Sequence, residues 1–229
     1  ELLANLERAE IAFGMELPAE SRFFGVMLRP DRPQATVAIT ARFRDDNGRY
    51  FSRPLGLLDS HEWELLEIDL EGGGFGRRAP RFLPAKPLTL VSLSLRQTDF
   101  RLDLHSGSML VDYIQVKDRN GDPHIVESFV DTSTWNTLRT TPDAKSDEIR
   151  QSDSSENGDA GAARFVWLDG SGMSSRGMFY GEAISGLPVL ASKKFLNDTG
   201  HSVNSELEVS VRGRRLPVRI VGSVDFFPT

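Results

Sequence analysis

The stretch ATVAITARF, residues 35 to 43, places Val37, Ile39, Ala41 and Phe43 on one side of an extended chain and Thr36, Thr40 and Arg42 on the other. That period-two alternation suits a strand with one buried and one wet face, and a helix cannot use it. Directly after it, Asp45-Asp46-Asn47-Gly48 ends in an Asn-Gly pair, which takes up positive φ angles cheaply and so closes a tight hairpin. Tyr50 and Phe51 open the return strand. The pattern recurs in WELLEIDL (63 to 70) and in LTLVSLSLR (88 to 96), where Val91, Leu93 and Leu95 oppose Ser92, Ser94 and Arg96. It recurs again in SMLVDYIQVKD (108 to 118), before Asn120-Gly121, and in HIVESFV (124 to 130). Short strands separated by turn chemistry, with almost no helical periodicity, predict a mainly β chain built on an antiparallel sandwich.

Composition narrows the function classes. The chain has 229 residues, 39% of them hydrophobic, and a net charge of −6. No basic excess exists for a phosphate backbone to use, so nucleic acid is not an expected partner. Without cysteine there are no disulfides, thiolate metal sites or cysteine nucleophiles. No run approaches the ~20 apolar residues of a membrane span, and ELLANLERAE lacks the layout of a signal peptide.

The glycine-rich EGGGFGRRAPRFLPAKP, 71 to 87, interrupts the strands. Gly72, Gly73, Gly74 and Gly76 fit neither phosphate-loop spacing, and no helix pattern follows, so the stretch reads as an inter-strand loop whose Arg77, Arg78 and Arg81 are solvated. Between Asp143 and Asp159 six acids face only Lys145 and Arg150, a composition of solvated loops without calcium-loop spacing. ARFVWL, 163 to 168, then returns as a strand.

No catalytic constellation emerges. His61, His105, His124 and His201 are scattered, with no metal-ligand spacing. Ser171 in GSGMS lacks the flanking glycines of a nucleophile turn, having Asp169 and Met173 there instead. Asp45 with Asp46, and Glu62 with Glu64, follow turn and exposed-strand preferences, and Trp63, Trp135 and Trp167 are expected in the core rather than on a sugar-stacking surface. The chain is expected to have no enzymatic activity and no cofactor.

Two resemblances add to this. Trp63 with the strand ending Asp69-Leu70, then LTLVSLSLR, GSMLVDYIQV and IVESF, resemble a galactose-binding-type jelly roll, as found in carbohydrate-binding modules. By period two Asp112 shares a face with Leu110, Ile114 and Val116, and a buried carboxylate needs hydrogen bonds or a cation. The resemblance allows a structural calcium there, but no second acid pairs with Asp112 and a hydrogen-bonded structural role is favoured. The second resemblance lies near the carboxyl end. Leu187 to Ala191 read as a buried strand, Ser192 as the N-cap of a short helix KKFLNDT stopped by Gly200, and ELEVSVRGRRLPVRIVGSV as a hairpin around Gly213. This order resembles the extracytoplasmic core domain of FtsX-like ABC-transporter permeases of the macrolide-export and lipoprotein-release type. It departs at the turn, where Asn204-Ser205 stand in place of the common Gly-Asp.

The expected architecture is a jelly-roll β-sandwich over residues 1–130, a polar connection with strand elements over 131–186, and a partial α+β permease-core-like segment over 187–229. The resemblance implies an extracytoplasmic, non-catalytic module anchored by membrane helices outside this chain. Its partners would be the rest of the permease, a separate ATPase subunit, and a carbohydrate, lipid or peptide cargo. Phe226 and Phe227, next to a strand-like ending, fit a piece cut from a longer chain. The other expectation is a carbohydrate-binding module of a secreted or cell-surface protein.

Overall fold

The structure is a computed structural model that describes residues 14–72, 83–99, 102–138, 144, 146–156, 161–174, 176–181, 187–211 and 214–225. The chain is mainly β and divides into two compact units, 1–182 and 183–229. With strands numbered in chain order, one six-stranded sheet of the first unit runs β4 (Tyr50–Leu58), β3 (Gln34–Arg44), β6 (Thr89–Gln97), β12 (Arg176–Tyr180), β9 (Trp135–Thr137), with β1 (Met15–Glu16) also on β6. The other runs β10 (Glu148–Ser152), β11 (Ala162–Trp167), β7 (Gly107–Lys117), β2 (Phe23–Pro30), β5 (Glu64–Asp69), with β8 (Pro123–Glu127) also on β7. Every pairing in both sheets is antiparallel.

The two sheets enclose one core and form the expected β-sandwich. Val37, Ile39, Ala41 and Phe43 all enter it, and Phe43 meets Phe24 of β2 edge to face with ring centroids 5.1 Å apart. Trp135 and Trp167 are buried, whereas Trp63 is half-buried under the guanidinium of Arg29, 4.9 Å from its ring. The Asn47-Gly48 and Asn120-Gly121 turns close β3–β4 and β7–β8, with φ of 76° at Gly48 and 90° at Gly121. The first unit does not end near Val130: β9 and β12 extend one sheet, β10 and β11 extend the other, and the division falls after Glu182. The stretch read as a polar connection therefore completes the sandwich.

Two β-bulges change which side chains point inward. Along β6, Arg42 pairs with Ser92 while Phe43 pairs with Leu90, so Val91 has no opposite number. Leu88 and Leu90 before it and Leu93 and Leu95 after it line the core, and Val91 does not. Along β7, Met27 pairs with Tyr113 and Leu28 with Val111, leaving Asp112 as the extra residue. Met109, Val111, Ile114 and Val116 face the core, while Leu110 is buried outside it. Asp112 thus does not share the face of Ile114 and Val116, because an inserted residue reverses the alternation on one side of it.

The second unit is a three-stranded sheet of order β13 (Leu187–Ser192), β15 (Arg214–Val224), β14 (Glu206–Val211), together with helix α1 (Lys193–Thr199). β13 runs parallel to β15, and α1 with β14 supplies the long return that a parallel pair requires. The Ser192 hydroxyl accepts the Phe195 N–H at 3.1 Å, and left-handed Gly200 donates its N–H to Leu196 O at 2.9 Å. Both caps stand where the sequence places them. Asn204 adopts φ 75° and donates its N–H to Ile220 O at 2.7 Å, so an asparagine serves where the turn requires left-handed backbone. Ala191, Val218 and Ile220 are buried. Gly73, Gly74, Gly76, Arg77, Arg78, Arg81, Gly213, Phe226 and Phe227 lie outside the described residues.

Candidate functional site

At one end of the sandwich three connections converge on a cleft of about 570 Å³: β2–β3 with Arg32 and Pro33, β6–β7 with His105 and Ser106, and β11–β12 with Asp169. Its remaining wall is the start of β3, where the ladder opens. Gln34 pairs with Leu58 but Ala38 pairs with the adjacent Leu57, so 35 to 37 bulge away from β4. On the other side of β3 the carbonyl of Thr36 accepts both the N–H and the hydroxyl of Thr98, at 2.7 and 3.0 Å. Gln97, at the end of β6, completes the lining.

The walls are braced before any ligand arrives. The Arg32 guanidinium donates to Ser106 O at 2.5 Å, and the Ser106 N–H donates to the Asp169 carboxylate at 2.5 Å. Trp167 Nε1 donates to His105 O at 2.8 Å, and Leu104 and Gly170 exchange backbone hydrogen bonds of 2.8 and 2.9 Å. Beneath them the fully buried Arg176 donates to the carbonyls of Leu168 and Asp169 and pairs with buried Asp147 at 3.1 Å. Gly107 matters through its missing side chain: a Cβ there would lie 2.4 Å from Gln34 Nε2 and 2.8 Å from the Trp167 ring. The Gln34 amide occupies that space.

Electrostatically the cleft carries both signs. The Ser106 N–H holds the Asp169 carboxyl below its ordinary range, with His105 and Arg32 adding to the effect, so it stays ionised. His105 Nδ1 lies 3.9 Å from that carboxylate and is largely exposed. Two neutral amide atoms are buried without a hydrogen-bond partner among the described residues: Gln34 Nε2 and Gln97 Oε1. Gln97 is only 5% exposed, and its Nε2 donates to Asp103 O at 3.3 Å. An unmet buried acceptor of this kind costs about 1–3 kcal/mol. The cleft can bind and orient through hydrogen bonds.

Of the residues weighed in sequence for catalysis or metal binding, His105 and Asp169 line this cleft, beside Thr36 and Val37 of the first strand read from the sequence. His61 lies 3.2 Å from Glu62 at the surface, His124 is exposed on β8, and His201 stacks on Phe195 with centroids 6.1 Å apart. Ser171 sits in a local turn, its hydroxyl accepting the Met173 N–H at 3.2 Å. Buried Asp45 accepts Arg49 N at 2.8 Å and pairs with the Arg49 guanidinium at 2.7 Å. Burial alone would raise its carboxyl, but these hydrogen bonds, with that from Ala85, hold it low. No group of three or more His, Asp or Glu converges as a metal-ligand set among the described residues.

Asp112 is buried at the β7 bulge, and its carboxylate accepts the Glu156 N–H at 3.0 Å. Burial raises its carboxyl above the ordinary 3.8, Glu156 adds to that, and the Glu156 N–H partly offsets it. A raised folded-state value means that the protonated form favours folding: the stability is present below 3.8 and lost as pH rises through the folded-state value. Asp112→Asn keeps an acceptor for Glu156 and removes the desolvated charge, so it should melt higher than the native chain at pH 7. The two melting temperatures should converge in acid. Calcium that raised the native melting temperature but not that of Asp112→Asn would instead place a cation at the bulge.

Sequence reasoning missed Arg32, Gln34 and Gln97 because each sits in a separate connection or strand end, and only strand order brings them together. No protein-family model, curated protein or solved structure matches the chain.

Proposed function

We propose that the chain is a non-catalytic extracytoplasmic module of an FtsX-like ABC permease, in which the sandwich contacts cargo or partner subunits and the small unit couples those contacts to the membrane part. The observation that supports this reading is the order of the second unit. A strand, a helix capped by Ser192 and Gly200, a left-handed turn at Asn204 and a hairpin fold into one sheet with β15 between β13 and β14. That is the order on which the resemblance to the permease core rests. No helix among the described residues is long and apolar enough to cross a membrane, so this reading puts the anchoring helices elsewhere in the protein. ATP hydrolysis belongs to a separate subunit.

The test uses the native protein in its own cell. A tagged form of the whole gene product should fractionate with membranes, remain there after a salt wash, and retain an ATPase subunit after detergent solubilisation. The gene should encode apolar spans of ~20 residues flanking this chain. Recovery as a soluble secreted protein, with a glycoside-processing domain adjoining the sandwich, would overturn the proposal in favour of a carbohydrate-binding module.

A further inference from the structure

Charge is sorted between the two sheets of the sandwich. Strands β4, β3, β6, β12 and β9 hold Arg42, Arg44, Arg53, Arg96 and Arg176 and no lysine, aspartate or glutamate; the acid at the rim of that sheet is Glu16, on β1. In the strands of the opposite sheet acids outnumber bases, and there Lys117 pairs with Glu67 at 2.7 Å and Arg150 with Glu148. Two of the five arginines are engaged within the fold: Arg176 with Asp147, and Arg53 with Gly72 O at 3.3 Å. The other three point outward. Ala41 and Phe43 face the core, so Arg42 and Arg44 face away from it, and Arg96, next to core Leu95, does the same beside Ala38. Among the described residues no carboxylate pairs with Arg42, Arg44 or Arg96, whereas Arg22, Arg49, Arg119, Arg150 and Arg176 each have one.

A chain of net charge −6 thus carries a face that is cationic only. Arg42 and Arg44, two residues apart on one strand face, have Cα atoms about 7 Å apart and repel each other, and an anion lying over both turns that repulsion into attraction. Charge complementarity therefore calls for an anionic occupant. Composition decides which kind. Centres of protein interfaces are enriched in arginine and tyrosine and depleted of lysine, aspartate and glutamate. A surface that only had to meet anionic lipid would gain as much from lysine. On this face every cation is an arginine, and the Arg42 guanidinium lies 5.1 Å over the ring of Tyr50, which is 53% exposed, so a cation–aromatic pair stands assembled and open. Beside it the register places short side chains, Ser52 opposite Arg42 and Thr40 opposite Ser94, which let a partner's carboxylates come down to the guanidiniums.

We infer that the outer face of β4, β3 and β6, centred on Arg42, Arg44, Arg96 and Tyr50, docks an acidic surface of a second protein. The inference rests on the permease reading for one point, that the sandwich contacts a partner, and its test reads neither membrane anchoring nor ATPase binding, so the two can fail separately.

The test is a 15N–1H NMR titration of the full chain with poly-L-glutamate at low salt. Amides of residues 40–44, 50–54 and 92–96 should shift in a saturable way, those of 64–69 and 112–117 on the opposite sheet should not, and poly-L-lysine should leave the first three segments unmoved. Arg42→Gln with Arg44→Gln should weaken poly-L-glutamate about tenfold, the loss of two partly exposed charge pairs, and added salt should weaken the native chain in the same direction. Arg96→Gln, at an exposed position on another strand, should also weaken it and keeps the test informative if the double variant folds poorly; Arg150→Gln, on the opposite sheet, should change nothing. In the native cell, p-benzoylphenylalanine in place of Ser52 should photo-crosslink the gene product to a protein segment rich in aspartate and glutamate, and Arg42→Glu with Arg44→Glu should abolish that product. Several results would overturn the inference: shifts confined to other surfaces, equal weakening by Arg150→Gln, or a cross-linked segment without carboxylates. Tighter binding to phosphatidylglycerol vesicles than to poly-L-glutamate would replace the protein by a membrane, and self-association in sedimentation, dispersed by the double variant, would replace it by a second copy of this chain.

Discussion

Leu93→Asp should abolish the cooperative unfolding transition of the sandwich at room temperature, while Val91→Asp, two residues earlier on the same strand, should leave a folded protein. Leu93 is 0% exposed and faces the core; Val91 is the unpaired residue of the β6 bulge and lies outside the core cluster. An ionised carboxylate cannot be solvated in that core, so the substitution loses the leucine's burial as well as adding the charge. Both terms act together, and the expected cost exceeds about 4 kcal/mol against a usual domain stability of about 5–15 kcal/mol. At Val91 the new carboxylate can turn toward water, and the cost should be about 1 kcal/mol, from lost β propensity and partial burial. Circular dichroism melts of the two variants side by side check this. Equal, severe loss in both would mean that the strand keeps one alternation throughout and that the bulge is absent in solution.

The same pair shows what the sequence could and could not reveal. Alternation in ATVAITARF is uninterrupted over the core positions, and all four side chains expected inward are inward. In LTLVSLSLR and SMLVDYIQV the letters alternate just as well, yet a bulge inside each run reverses the sense partway along. A bulge is a property of a strand pair, fixed by where two partners lock, and a single strand carries no mark of it. Other strands were hidden for different reasons. FFGVMLRP, 23 to 30, is paired on both sides and buried along most of its length, so it presents a run of apolar residues rather than an alternation. EIRQS, 148 to 152, is the opposite case, a polar edge strand in a segment whose composition looks like loop. The helix caps at Ser192 and Gly200 were legible because capping is local, settled within four residues. The cleft was not legible at all, since its residues come from β3, β6 and three connections, and only the strand order makes them neighbours.

Arg176 is the position where stability and the cleft meet, and its removal should cost nearly as much as a core charge. In SSRGMFY it looks like an ordinary solvated arginine, but in the structure its side chain is 0% exposed, paired with an Asp147 side chain that is also 0% exposed. Arg176→Leu fills much of the space and leaves Asp147 as a buried charge without its cation, a change expected to cost about 3–5 kcal/mol in a urea melt. Arg176→Lys should recover only part of this, because an ammonium cannot reproduce a planar fork that reaches Asp147 and two carbonyls together. The double variant Arg176→Leu/Asp147→Asn separates the two roles. Removing both charges should restore most of the lost stability, since the desolvation of the pair disappears with it. The carbonyls of Leu168 and Asp169 would still lack their donor, however, so amide exchange at 168–170 should remain faster than in the native chain. A double variant that regained both stability and slow exchange would reduce Arg176 to a counter-charge for Asp147. Restored stability with a loosened 168–170 loop would show that the arginine is also what holds Asp169 against Ser106, and hence what keeps the cleft wall in place.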